Sequence, residues 1–349
     1  AYFDFSEPRS FFVSHGWEEV SHQWMVYVYQ TDESASSQID IFPMTTSAIM
    51  KGSIQSGKQP VIEYREVSAS NWLTQTSGNI EIDGTNYTTR LQQLNPATNY
   101  ECRVSIDGTI AGTQIFSTTP ATPLTDGSFD NWHQVEKLWN PWASGSDSFW
   151  DTGNKGAVTI SESNSIPTDE TCNGSGKAAS LESKYLVLKF AAGNIFTGSY
   201  LKTIGTNGVL SFGQPFTAFP SKLRINYKYT SATIDKVGED DLAYLKGRPD
   251  SCYIYIALTD WDEPREIRTR PSERQLFDKN DSKIIAYAEL VQGSSDVAYQ
   301  QKDLILNYRY SNRTPRYIVV VATASKYGDY FTGGVGSKLL IDNFELIYE

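Results

Sequence analysis

Histidine, cysteine and methionine are scarce in this chain, three of each in 349 residues. Three scattered histidines with no His-x-Glu spacing cannot by themselves build a catalytic zinc site, so no metal centre is expected. Three cysteines cannot all pair internally. Cys102 sits in an apolar alternation and reads as a buried thiol, while a Cys172–Cys252 bridge stays open, because spacing alone does not establish pairing. No apolar run reaches the roughly 20 residues that a membrane-spanning helix needs. Basic charge is in deficit, with 30 Lys and Arg against 41 Asp and Glu and a net charge of −11. That balance argues against nucleic acid and against an anionic membrane surface as partners. There is no Gly-rich phosphate loop, no nucleophile elbow and no long amphipathic helix, and no cofactor is expected.

What the chain has instead is strand-like alternation and many aromatic residues, 13% of the total. "QWMVYVYQ", "QPVIEYREV", "NYTTRLQQL", "NYECRVSID" and "TQIFSTTP" are short β-rich runs separated by Gly, Ser, Asp and Asn clusters. Their spacing predicts a sandwich of about seven strands over residues 1–120. In "LNPATNYECRV", Tyr100 enters a strand after a Pro turn, as in a tyrosine corner, where the hydroxyl bonds back to the backbone. With "VIEYREV" and Trp72 before it, this part resembles a fibronectin type III or immunoglobulin-like module, which implies a spacer role. "TTPATPLTDGS", Thr118 to Ser128, reads as a short exposed linker. Residues 126–349 are then a second, larger β-sandwich. The fold class expected is all-β, with the immunoglobulin/fibronectin III-like sandwich followed by a jelly roll. Ala1 stands where a start Met would, and the composition is rich in Ser, Thr, Asn and Tyr; the expectation is an exported protein of the periplasm or outer cell surface.

Four of the eight tryptophans fall between Trp132 and Trp150. Their neighbours in "WNPWASGSDSFWDTGN" are loop formers. The C–H face of a pyranose stacks on a flat ring, and its hydroxyls need amides and carboxylates. Trp139, Trp142, Trp150 and Asn154 combine those types, with Asp147 and Asp151 beside them. The bland alternative is that the indoles fold back to plug one end of the sandwich. In "CYIYIALTDW", Cys252, Ile254, Ile256 and Leu258 share one face and must be core. Tyr253, Tyr255, Thr259 and Trp261 share the other, expected to be an outer sheet surface.

"GNIFTG" (Gly193 to Gly198) and "GDYFTG" (Gly328 to Gly333) form a short internal repeat behind the apolar runs "YLVLKFAA" and "RYIVVVATA". Read as paired turns, they place Asn194, Lys326 and Asp329 at the rim of one site. Catalysis is less visible. A sandwich hydrolase often carries Glu-x-Asp-x-x-Glu on one strand, and that motif is absent. Glu289, Asp250, Asp260 and Asp262 remain loose carboxylate candidates.

"DGSFDNW" at the start and "IDNF" near the end resemble the framing strands of jelly-roll carbohydrate-binding modules. Taken with "FWDTGN", "FGQPF", "DSCYIYIALTD" and "SKYGDYFTGGVGS", the order resembles the family called putative carbohydrate metabolism domain over residues 126–349. The resemblance implies glycan metabolism and a jelly roll behind an immunoglobulin-like module. It also associates an Arg with the position before the Pro of "FTAFPSKL", where this chain has Phe219. Jelly-roll binding modules often hold a structural calcium between their first and last strands, and Asp130 and Asp342 match those places by resemblance, but one pair does not assign it. Three functions are therefore weighed: binding of an oligo- or polysaccharide in a jelly-roll pocket, a glycoside hydrolase using an Asp/Glu pair in that pocket, and a structural surface or adhesion protein. The expected binding set is Trp139, Trp142, Trp150, Asn154, Asn194, Tyr255, Trp261, Lys326 and Asp329.

Overall fold

The computed structural model describes the backbone of residues 9–14 and 21–26, and residues 39–349 in full. The second half of "QWMVYVYQ" lies outside the described residues; its first half pairs in the Arg9–Ser14 and Ser21–Val26 hairpin. The fold is all-β. Two compact units are present, one of residues 1–40, 51–89 and 101–115, the other of residues 41–50, 90–100 and 116–349.

Residues 39–117 supply two four-stranded sheets. One runs Thr109–Ser117, Asn99–Ile106, Pro60–Glu66, Leu73–Thr74; the other runs Ile39–Pro43, Ala48–Ser53, Asn86–Leu91, Ile80–Asp83. Burial along Asn99–Ile106 alternates strictly, with Tyr100, Cys102, Val104 and Ile106 inward, as period-2 patterning requires. The Tyr100 hydroxyl accepts the Asn95 N–H at 2.8 Å, closing the expected corner. Segment 118–128 carries no strand; residues 120–123 are exposed, whereas Leu124 is buried.

Two larger sheets follow in the second unit. The first has five strands in the order Ser165–Thr168, Ala178–Glu182, Lys338–Ile347, Lys222–Thr230, Gln300–Ile305. The other, nine-stranded among the described residues, runs Arg265–Arg268, Asn207–Phe212, Asn194–Ile204, Tyr317–Thr323, Cys252–Thr259, Ile284–Gln292, Asn307–Tyr308, with Trp150–Thr152 and Gln214–Pro215 paired beside it. The core is what their facing sides bury together. Cys252, Ile254, Ile256, Leu258, Ile318 and Val320 come from the large sheet, and Leu181, Leu223, Ile225, Leu339 and Ile341 from the small one. Burying each of these aliphatic side chains contributes about 1.5–3 kcal/mol against leaving it exposed.

The other face of the large sheet is not the open surface expected from "CYIYIALTDW". A second apolar cluster covers it, containing Phe196, Tyr200, Leu210, Phe212, Tyr255, Trp261 and Val321. Both faces of Cys252–Thr259 are therefore buried over most of its length. The cover comes from connecting segments: Leu276 and Phe277 pack onto the cluster. "YLVLKFAA", read as one strand, is a hairpin of Lys184–Leu186 and Lys189–Ala191 that turns through Val187 at φ 53°. That left-handed backbone is costly for a β-branched residue. The three cysteines are free, and Cys252 lies in the core, so Cys172 and Cys252 form no bridge.

Candidate functional site

A cavity of about 370 Å³ opens on the covered face of the large sheet, at the lower end of the roughly 300–1,000 Å³ usual for ligand pockets. Strand register makes its floor. Phe196, Val321 and Tyr255 stand opposite one another across three strands, and Asn194, Thr323 and Tyr253 form the next row. All six line the cavity. Its walls are the 184–191 hairpin through Leu186, Lys189 and Phe190, segment 276–279, and segment 326–331.

The last of these walls is held by a buried carboxylate. Asp250 accepts the hydroxyls of Ser325 (2.6 Å) and Ser337 (2.9 Å) and the N–H groups of Ser251 and Gly334, each at 2.8 Å. Burial pushes its carboxyl above the usual range against the pull of those donors. The Lys326 N–H adds a bond to the Ser251 carbonyl, and Gly328 N–H one to Ser325. Gly328 lets the wall close, since a Cβ there would stand 2.4 Å from that of Ala192. The chain then makes a short 3-10 turn, Gly328–Tyr330, ending on Phe331 at φ 53°.

That turn presents Asp329. Its carboxyl makes no hydrogen bond or ion pair within the described residues. The residue keeps accessible surface and lies on the lining of the cavity. The protein around it still raises its pKa to about 6 through burial, with the Arg274 guanidinium pulling the other way. The hydroxyl of Tyr255, stacked on Phe277 at 4.7 Å, is pushed well up by burial and by the charge of Asp329. Glu289 is the opposite case. Lys279, Tyr253 and Tyr287 all donate to it, and although burial opposes them its carboxyl falls to about 2. A carboxylate so satisfied stays ionised and cannot donate a proton near neutral pH.

Four of the nine expected site residues meet at this cavity: Asn194, Tyr255, Lys326 and Asp329. Asn194 is partly committed already, accepting the Gly153 N–H at 2.9 Å and donating to the Ala192 carbonyl. The other five do not line it. Trp150 is core, its indole donating to the Thr125 carbonyl at 2.8 Å with Phe129 and Phe149 against it. Asn154 is fully buried, and its amide ties Trp139, Ser165 and Asn164 together. Trp139 is half-buried and hydrogen-bonds through its backbone to Ser163. Trp142 is half-buried between His133, whose ring meets it edge-on, and the Lys155 ammonium at 5.5 Å. Trp261 donates to Asp281 and props Phe277 from behind. The indole segment is therefore a set of ties at one end of the sandwich, and the wall expected from Trp139, Trp142 and Trp150 is not at the cavity.

The repeat does bring its two copies together, but not as paired turns. Asn194–Ile204 is a strand, whereas Gly328–Tyr330 is a turn. Their equivalent phenylalanines, Phe196 and Phe331, both line the cavity, and that shared position was the readable signal. Phe277, Asp278 and Lys279 were missed because they sit in a connection without periodicity, and Lys189 and Phe190 because "YLVLKFAA" read as a single strand rather than the hairpin it forms. Asp260 is paired with Arg313, and Asp262 with Lys283 and Arg316. Asp130 and Asp342 accept backbone N–H groups of Lys177 and Cys172, and among the described residues no cluster of His, Cys, Asp and Glu could hold a metal.

Residues 128–347 match the family model described as putative carbohydrate metabolism domain, and the chain belongs to that family. No curated protein matches it. Among solved structures it is similar to a putative glycoside hydrolase from Bacteroides thetaiotaomicron, at 19% identity and TM-score 0.51, over 91% of this chain and 99% of that one. A putative glycoside hydrolase from Bacteroides vulgatus is 22% identical at TM-score 0.47, over 65% of this chain and 98% of the other. At these identities the first likeness bears on the fold alone.

Proposed function

We propose that this protein binds a carbohydrate in the cavity on the outer face of its large sheet, and that residues 1–120 act as a spacer for the binding domain, 126–349. The observation that carries the reading is an aromatic floor, Phe196, Tyr253 and Tyr255, with a carboxylate, Asp329, that has no hydrogen-bond or ion-pair partner among the described residues. Rings offer apolar area to sugar C–H faces at small entropic cost, and a carboxylate without partners is free to accept sugar hydroxyls. Membership of a carbohydrate-related family supports it. Export to the periplasm or outer surface fits such a ligand. A glycan-array screen followed by titration of hits against Asp329→Ala tests the reading; hits whose affinity ignores that change would refute it. Limited proteolysis in 118–128 that released two folded domains would support the spacer role.

A second reading is favoured by one specific feature, the rise of Asp329 to about 6, the range in which a carboxyl serves as general acid. A glycoside hydrolase would need a partner carboxylate about 5–5.5 Å away for retention or about 6.5–9.5 Å away for inversion. Asp278 is the other acid on the lining. Reducing ends released from a bound glycan and abolished in Asp329→Asn would establish hydrolysis. Binding without release leaves recognition alone.

A further inference from the structure

The chain is acidic overall, at −11, yet two of the three lysines that line its cavity, Lys189 and Lys326, have no carboxylate hydrogen-bonded or ion-paired to them among the described residues. Lys326 lines it, and within the described residues its ammonium meets only ring faces, Tyr253 at 5.8 Å and Tyr327 at 5.5 Å. Lys189 lies over the Phe331 ring and donates to Asn207 and Thr206, none of them charged. Burial and the proximity of Arg274 disfavour its charge, and the Glu239 carboxylate offsets this only in part. Arg274 stacks on Tyr330 at 4.7 Å and pairs with Glu239, but its buried Nε finds no acceptor among the described residues. Of the lining lysines only Lys279 has a carboxylate partner, Glu289. Lys51, Lys137, Lys202, Lys246 and Lys302, which also lack an ion pair among the described residues, are exposed, whereas Lys189 and Lys326 are half-buried at the cavity. Ammonium groups partly withdrawn from water without a counter-ion are unfavourable, and an anionic ligand group offsets that cost.

Resting on the carbohydrate reading above, we infer that the sugar taken by this cavity is an acidic one, its carboxylate or sulfate meeting Lys326 and Lys189. Asp329, on the same wall as Lys326, fits the same ligand by accepting its hydroxyls while the anionic substituent lies against the lysines. Cations and an anion in one small cavity orient a ligand that has hydroxyls at one end and a charge at the other.

The test is calorimetric titration of the full chain with three probes of matched length: a uronic-acid oligosaccharide, its carboxyl-reduced neutral form, and a sulfated neutral oligosaccharide. An anionic probe should bind about tenfold or more tighter than the neutral one and weaken as salt is raised. Lys326→Gln should erase the preference and Lys326→Arg should keep it, with melting curves confirming that both fold. The uronate and sulfate arms tell which anion is preferred. Equal binding of neutral and acidic probes overturns the inference and leaves carbohydrate binding standing. A preference indifferent to Lys326→Gln and Lys189→Gln also overturns it. If none of the probes binds, this inference and the carbohydrate reading fail together.

Discussion

The tryptophan segment 132–154 and the wall 325–334 both combine aromatic residues with Gly and Asp, and in sequence the first looks more like a binding site. In the structure their polar groups have opposite fates. Around the indoles the buried polar groups are engaged: Trp150 with Thr125, Trp132 with Phe129, and Asn154 with three neighbours. On the wall, Asp329 and the Lys326 ammonium face a cavity without hydrogen-bond or carboxylate partners among the described residues. Aromatic density marks where a fold needs bulk. Unsatisfied polar groups beside aromatic rings mark where it leaves work for a ligand.

The largest test of that comparison is on the tie side. Trp150→Ala removes a buried indole and should cost about 3–5 kcal/mol of stability, read by urea unfolding, with glycan affinity in the surviving folded fraction unchanged. An affinity loss without a stability loss would put Trp150 in the site.

Asp250 comes next, since it joins stability to the wall. Asp250→Asn keeps one acceptor oxygen and replaces the other by an NH2 donor, so the donors on that second oxygen lose their acceptor and the rest lose the charge. Losing charge-assisted bonds of this kind costs about 1.5–3 kcal/mol each before relaxation. A lower melting temperature with weakened glycan binding is expected. Full affinity at reduced stability would mean that the wall does not depend on this anchor.

Asp329 should behave in the opposite way. Burial raises its folded-state value from the ordinary 3.8 to about 6, so the folded chain holds an extra proton between those limits. Stability from this group is therefore fully present below about 3.8 and is lost as pH rises through about 6. Asp329→Asn should raise the melting temperature at pH 7.5 and leave it unchanged near pH 3.5. The same change should weaken glycan binding about tenfold. A variant no more stable than the parent at pH 7.5 would show that the carboxylate is not under strain.

The smallest effect is expected at Trp142. Half-buried beside Lys155 and His133, it should lose under about 1 kcal/mol on replacement by Ala, with no change in affinity.

These contrasts also explain how much could be read from sequence. The all-β class, the tyrosine corner at Tyr100 and the core face of Cys252, Ile254, Ile256 and Leu258 were legible, because alternation reports directly on burial. Tyr255, Asn194, Lys326 and Asp329 were placed together from the strand face and the repeat. Trp150 and Asn154 misled, because sequence gives residue types but not hydrogen-bond partners: the same indole and amide that suit a sugar also suit Thr125 and Ser165. The cover over the outer face was hidden for another reason. Leu276 and Phe277 lie in a connection whose course no periodicity announces, so the aromatic strand face read as open surface.

The measurement that bears most directly on the account is a side-by-side titration of one oligosaccharide hit against Asp329→Asn, Trp139→Ala and Trp142→Ala, each first shown to be folded. Binding weakened about tenfold in Asp329→Asn and unchanged in both tryptophan variants is the result predicted. Binding lost at Trp139 or Trp142 and preserved at Asp329 would contradict it and return the site to the indole segment.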